Sequence, residues 1–241
     1  MSDGRIRRIL LIQVREDALT QKEEQRSFAK CCNQPTETLS VANLAAGDSL
    51  PKTTDGVEAV IIGGSSGYAA YEDYPWVPAL SGFIQQCKQD YVPVFGSCWG
   101  HQFLARALGG KVIHDPLRAE MGATEVSFLP AAQSDPVFSG FFPLLRVNQG
   151  HHDRVSVLPP DGIELANNQI APFQVFRIAG KPIYGTQFHS ELDRTTISER
   201  VIRYQQHYPE IAHHLAAILD SFEDTPPAAS IIQRFLSVYC P

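Results

Sequence analysis

The sequence predicts an α/β protein built on an open, mainly parallel sheet flanked by helices, with a mixed β extension. Three observations carry this expectation. Apolar runs of strand length alternate with amphipathic runs of helix length through the first half of the chain. Beyond Lys111 the strand-like runs follow one another with only turn residues between them. The composition, 241 residues with 44% hydrophobic and 19% charged, is that of a chain able to bury one large core.

The elements follow in order. Arg5 to Val14 reads as a first strand and Leu19 to Cys32 as a polar-faced helix. A short second strand is expected around Thr38 to Leu44. Val57 to Ile62 is the next apolar run, ending in the small-residue stretch Gly63 to Gly67. Trp76 to Gln89 reads as a helix, and Val92 to Phe95 as a buried strand feeding a turn that carries Cys98. Phe103, Leu104, Ala107 and Leu108 have the core spacing of a following helix, which Gly109 and Gly110 stop. Such alternation implies parallel strands covered on both faces. From Lys111 to Phe188 the signals become strand-like, at Thr124–Leu129, Leu144–Asn148, Arg154–Val157, Glu164–Asn167, Phe173–Ile178 and Pro182–Gln187. Turns at Pro159–Gly162 and Ala179–Pro182 punctuate them. The segment from about 195 to 241 reads as helices interrupted near Pro209 and at Pro226 and Pro227. One domain over 1–241 is the expected organisation.

Composition narrows the partners. The net charge of −6 is not gathered into a block and no basic stripe is present, which disfavours nucleic acid and anionic membranes. The five cysteines, at positions 31, 32, 87, 98 and 240, form neither a CxxC pair nor a regular framework. Arg5, Arg7 and Arg8 precede an apolar run too short for a signal peptide or a membrane span. A cytoplasmic setting is expected.

The segment Val92 to Gly110 is the most informative. A strand that turns directly into a helix crowds its backbone, so the positions two before and two after the central residue must lack a Cβ; here they are Gly96 and Gly100. The side chain of Cys98 is then thrust out at the top of the sheet, at a helix N-terminus that favours a thiolate. By itself this pattern also fits a structural cysteine in an ordinary junction. A nucleophile needs a base and the base an orienting group. His189 ends an apolar strand two residues before Glu191, and on extended backbone such residues point to one side. The carboxylate can then fix the tautomer that faces a thiol.

Together, Gly96-x-Cys98-x-Gly100 after one apolar strand, and Gly185-x-Gln187-Phe188-His189-x-Glu191 ending another, resemble the class I (triad-type) glutamine amidotransferases. The resemblance extends to the Gly109–Val112, Asp135–Gly140 and Gly150–Val155 segments. These look most like the amidotransferase domain of GMP synthetase and its free-standing relatives. It covers about Val57 to Leu192. The resemblance implies a flavodoxin-like sheet and cleavage of the γ-glutamyl amide of glutamine through a Cys98 thioester, releasing ammonia and glutamate. His189 would be base and then acid, oriented by Glu191. The oxyanion hole would combine the N–H of Trp99 with that of Gly64. Gln102, Gly150, His151, His152 and Asp153 would bind the substrate, with no cofactor and no metal.

The chain departs from the family pattern in three places. Serine follows Gly64 where many members have proline, Ser190 stands where His-Pro-Glu is common, and His152 replaces the glycine of a His-Gly-Asp run. No ATP-binding synthetase segment is expected within the chain. It is therefore read as a glutaminase paired with a separate ATP-dependent synthase subunit. The alternatives are a stand-alone γ-glutamyl peptidase or hydrolase and, less favoured, a non-catalytic regulatory or binding protein. His101, three residues after Cys98, is not expected to be the base. The elbow alone would also suit an α/β-hydrolase, but that fold places its acid before the histidine.

Overall fold

The computed structural model describes residues 5–65, 67–205 and 213–241. In chain order the strands are β1 (Ile9–Gln13), β2 (Ser40–Asn43), β3 (Ala59–Ile62), β4 (Val94–Ser97), β5 (Lys111–His114), β6 (Glu120–Phe128), β7 (Leu144–His151), β8 (Asp153–Val157), β9 (Gly162–Asn167), β10 (Val175–Ile178) and β11 (Ile183–Thr186). The helices are α1 (Ala18–Cys32), α2 (Val77–Asp90), α3 (Trp99–Ala107), α4 (Arg194–Tyr204), α5 (Leu215–Ser221), α6 (Pro226–Ala229) and α7 (Ile231–Tyr239).

Nine strands form one sheet in the order β2-β1-β3-β4-β11-β10-β9-β6-β7. The pairings from β2 to β11 are parallel and those from β11 to β7 antiparallel. The parallel half has the doubly wound, flavodoxin-like order, and the antiparallel half is the expected β extension. Strand alternation supplies both faces of the core. Ile9, Leu11, Ala59 and Ile61 join Phe28 of α1 and Phe235 of α7 on one side, while Leu10, Ile12, Val60 and Ile62 join Leu80 of α2 and Phe103 of α3 on the other.

Helix α1 is capped at both ends by its own flanking residues. The Asp17 carboxylate accepts from the N–H groups of Leu19 and Thr20, and Asn33 closes the helix in the left-handed region at φ 54°. The helical segment is interrupted between Ser221 and Pro226, and Pro226 and Pro227 start α6, since the first turn tolerates residues without an N–H. The interruption expected near Pro209 lies outside the described residues.

Several boundaries differ from the sequence reading. Lys111–His114 is a strand, and it pairs with β8 in a separate two-stranded sheet. The expected Arg154–Val157 segment therefore leaves the main sheet. The close approach of Gly110 to this ribbon requires glycine, because a Cβ there would lie 2.5 Å from the Val157 carbonyl oxygen. Phe173 does not begin β10; its φ of 60° is incompatible with a strand, which starts at Val175. Likewise β11 ends at Thr186, so His189 lies beyond the strand, pinned by an antiparallel bridge to Asn148 of β7.

Candidate active site

Cys98 sits between β4 and α3 with φ 52° and ψ −104°, a conformation L-residues rarely adopt. Its N–H donates to the Thr186 carbonyl at 2.8 Å, and the Gly100 N–H donates to the Gly63 carbonyl at 3.1 Å. The turn is thereby fixed to both neighbouring strand ends. The glycines flanking it are structurally required. A Cβ on Gly96 would fall 2.5 Å from the carbonyl group of Gly100, and one on Gly100 would collide with the Ile62 carbonyl. The strain is held by packing on both sides of the turn.

The structure brings His189 and Glu191 together beside this turn. His189 Nδ1 and Glu191 Oε1 are 2.7 Å apart, and Ser97 Oγ donates to Glu191 Oε2 at 2.7 Å. Both residues of the pair are buried. Burial opposes protonation of His189, but Glu191 and the neighbouring Cys98 thiol outweigh it and raise the imidazole above its ordinary range. Burial also opposes ionisation of Glu191, and His189, Arg200 and Ser97 together hold the carboxyl below its ordinary range. Arg200 acts from α4, where its Nε and Nη2 donate to Glu23. The pair is poised as imidazolium and carboxylate.

Cys98, Trp99, Gln102, His151, His152 and Asp153 line one cleft of about 800 Å³, together with Tyr68, Tyr71 and Tyr74. The Gly150 carbonyl is 3.9 Å from Cys98 Sγ, and Gln187 Nε2 is 3.8 Å from it. Gln102 does not project freely. Its Nε2 donates to the Asp153 carbonyl at 2.6 Å and to Gln187 Oε1 at 3.2 Å, tying α3 to the start of β8. Both nitrogens of His151 are engaged, one with Glu120 Oε2 at 3.2 Å and one with the Asp153 carbonyl at 3.1 Å. Its ring thus belongs to the scaffold of the wall. The Asp153 carboxylate meets His114 Nδ1 at 2.8 Å.

One expected role is altered in this state. The Gly64 N–H, assigned from the resemblance to the oxyanion hole, donates to Glu24 Oε1 at 3.2 Å. Glu24, on α1, is fully buried and also receives Arg15 Nη2 at 2.7 Å and Gln13 Nε2 at 2.8 Å. Trp99 is the first residue of α3, and the N–H groups of a helix's first turn have no partner within the helix. His101 is buried against Phe176, with ring centroids 4.8 Å apart, and burial lowers its pKa to about 3. It is a neutral core residue.

Sequence reading missed Glu24, Arg15, Ser97 and Gln187. Ser97 had a usable signal, since it is the residue before the nucleophile and so points to the opposite side of β4. Glu24 had none, because its partners lie on two other segments.

Compared with solved structures, the chain superposes on a glutamine amidotransferase from Thermotoga maritima with a TM-score of 0.77 and 22% identity, covering 98% of this chain and 99% of that one. At that identity the likeness establishes the fold. The class-I glutamine amidotransferase family model matches residues 35–206, and the chain belongs to that family. Among curated relatives, it is 38% identical over 112 residues to one subunit of the glutamine-hydrolyzing GMP synthase of Pyrococcus abyssi, covering 46% of this chain and 57% of the relative. It is 36% identical over 118 residues to the glutamine-hydrolyzing GMP synthase of Shewanella piezotolerans, covering 47% of this chain and 22% of that protein. The match therefore spans little more than half of the first relative and under a quarter of the second. Among the described residues, no helix is long and apolar enough to cross a membrane.

Proposed function

We propose that this chain hydrolyses the γ-amide of glutamine through Cys98. The observation that carries the reading is the 2.7 Å contact of His189 with Glu191 beside a cysteine held at a strand-to-helix elbow. In the proposed reaction the proton of the Cys98 thiol resides on His189 before attack, Cys98 Sγ bonds to the amide carbon, and the carbonyl electron pair moves to oxygen. Collapse breaks the C–N bond as His189 returns the proton to the departing ammonia. Water, deprotonated by His189, then cleaves the γ-glutamyl thioester to give glutamate. Glu191 keeps the imidazole in one tautomer and stabilises its charged form throughout. Gln102, Gly150, His152 and Asp153 would hold the glutamyl moiety from the cleft wall, and His151 would act through the backbone it fixes. The relative named as one subunit of GMP synthase supports a division of labour, which we read as ammonia passing to a separate ATP-dependent synthase.

One observation favours a second reading. The cleft of about 800 Å³ exceeds what glutamine needs and falls in the range of larger ligands. A γ-glutamyl peptide would enter it, and the same thioester chemistry would cleave its amide. Ammonia or amine release from glutamine and from γ-glutamyl peptides, measured for the native chain and Cys98→Ala, tests both readings. Release from glutamine that depends on Cys98 supports the first, and release from peptides alone supports the second. Equal rates for the two proteins would reject cysteine catalysis.

A further inference from the structure

Glutamine, the substrate of the hydrolytic reading, carries an α-carboxylate and an α-ammonium at the end remote from the amide. A carboxylate taken from water needs a compensating donor, and a charged donor serves best. Among the described residues that line the Cys98 cleft there is no lysine or arginine, and the basic side chains are those of His114, His151 and His152. Both ring nitrogens of His151 are engaged inside the wall. His114 is placed differently. Its side chain is 54% exposed, its Nδ1 meets Asp153 Oδ1 at 2.8 Å, and its Nε2 has no hydrogen-bond partner among the described residues. No group of three metal-binding side chains occurs among those residues, so the pair is not part of a metal site.

The detached ribbon holds His114 in that place. In the pairing of β5 with β8, His114 stands directly opposite Asp153. Beside them the Asp115 N–H donates to the His152 carbonyl at 3.1 Å, and Arg154 Nε donates to the Asp115 carboxylate at 2.8 Å. Gln102 Nε2 ties the ribbon to α3 by donating to the Asp153 carbonyl at 2.6 Å. That contact also sets the scale. Gln102 lies four residues after Cys98, about 6 Å along the helix axis and on the same face. A glutamyl group bonded to Cys98 reaches roughly 5 Å from its carbonyl carbon to its carboxylate. The far end of the group therefore comes level with Gln102, beside Asp153 and His114.

We propose that His114 is a specificity-determining residue that takes the α-carboxylate of the glutamyl group on Nε2, with Asp153 holding the ring from Nδ1. The proposal rests on the hydrolytic reading above. A neutral imidazole donates from only one nitrogen, so carboxylates on both sides hold the ring in its protonated form. The contact is the same before and during attack at the amide, and it therefore acts on binding and not on the rate of bond making.

The test sets glutamine against 4-aminobutanamide, which is glutamine without its α-carboxylate. His114→Ala is expected to raise KM for glutamine about 10-fold or more with little change in kcat, and to leave kcat/KM for 4-aminobutanamide as it is in the native chain. His114→Lys, which keeps a cation at the position, should recover part of the loss. A purely structural role would lower both substrates together. Protection of Cys98 from iodoacetamide by glutamate and by 4-aminobutyrate makes the same comparison without turnover, and His114→Ala should weaken only glutamate. An unchanged KM for glutamine in His114→Ala, or equal losses for the two members of either pair, would overturn the proposal. A native chain no faster than Cys98→Ala with glutamine would overturn the hydrolytic reading, and the protection measurement would still decide the role of His114.

Discussion

Replacing Glu191 with glutamine separates the charge of that side chain from its hydrogen bonding. One carboxylate oxygen faces His189 Nδ1 and the other receives the Ser97 hydroxyl, each at 2.7 Å. A hydroxyl can donate or accept, so Ser97 can turn to accept from the new amide NH₂. The amide oxygen then stays on His189 and the tautomer is kept. What disappears is the charge. At the 2.7 Å separation of this pair, opposite charges attract by ~6 kcal/mol at an effective dielectric of ~20. Relief from burying the carboxylate returns part of this, which leaves a net loss of ~3 kcal/mol. At ~1.4 kcal/mol per decade, Glu191→Gln should lower kcat/KM by roughly 10²-fold. The sign in pH follows from the same contact. Glu191 raises the His189 pKa, so the neutral amide lets the imidazolium lose its proton at lower pH. The alkaline limb of kcat/KM should therefore move down. Ammonia release from glutamine across the pH range, with iodoacetamide alkylation of Cys98 alongside it, measures both effects. Adding Ser97→Ala to Glu191→Gln removes the anchor of the amide and should deepen the loss. A Glu191→Gln chain within about threefold of native activity, with an unmoved alkaline limb, would refute the reasoning.

Other expectations follow from the packing. Gly100→Ala drives a Cβ into the Ile62 carbonyl and should cost ~3 kcal/mol or more, lowering the Tm by roughly 6–12 °C in thermal unfolding. His101 is buried and neutral down to about pH 3, against an ordinary value of 6.5, so between these limits the unfolded chain binds a proton that the native chain does not. Stability should thus fall as pH is lowered through that window, and His101→Leu should flatten the dependence of the urea midpoint on pH. Arg15→Met leaves the Glu24 carboxylate buried without its cation and should cost ~3–5 kcal/mol in urea unfolding, with part of it recovered by adding Glu24→Gln.

The parallel half of the sheet was legible because its signals are local. Alternating apolar residues in Ile9–Gln13 and Ala59–Ile62 place side chains on two faces, and α1 carries its own caps at Asp17 and Asn33. The elbow was legible for the same reason, since its Gly-x-Cys-x-Gly pattern lies within five consecutive residues, although the contact that forbids a Cβ at Gly100 comes from Ile62 of β3. The β extension was legible as strands but not as a pairing scheme. Register between β6 and β7, or the detachment of β5 and β8 into a ribbon, depends on contacts between distant segments. The site divides along the same line. The pairing of His189 with Glu191 spans two residues and could be inferred. The grip of Glu24 on Gly64 joins residues 40 positions apart, and nothing near Glu24 marks it as more than a polar position on an amphipathic helix.

Every step of the proposed reaction depends on Cys98 Sγ being the atom that attacks. Rapid acid quenching of the chain during turnover of glutamine, followed by mass analysis of the peptide containing Cys98, measures this directly. A glutamyl group attached through a thioester to Cys98, removable by hydroxylamine and missing from the Cys98→Ala chain, is the predicted result. Steady release of ammonia with no adduct on Cys98, continuing undiminished in the Cys98→Ala chain, would contradict it.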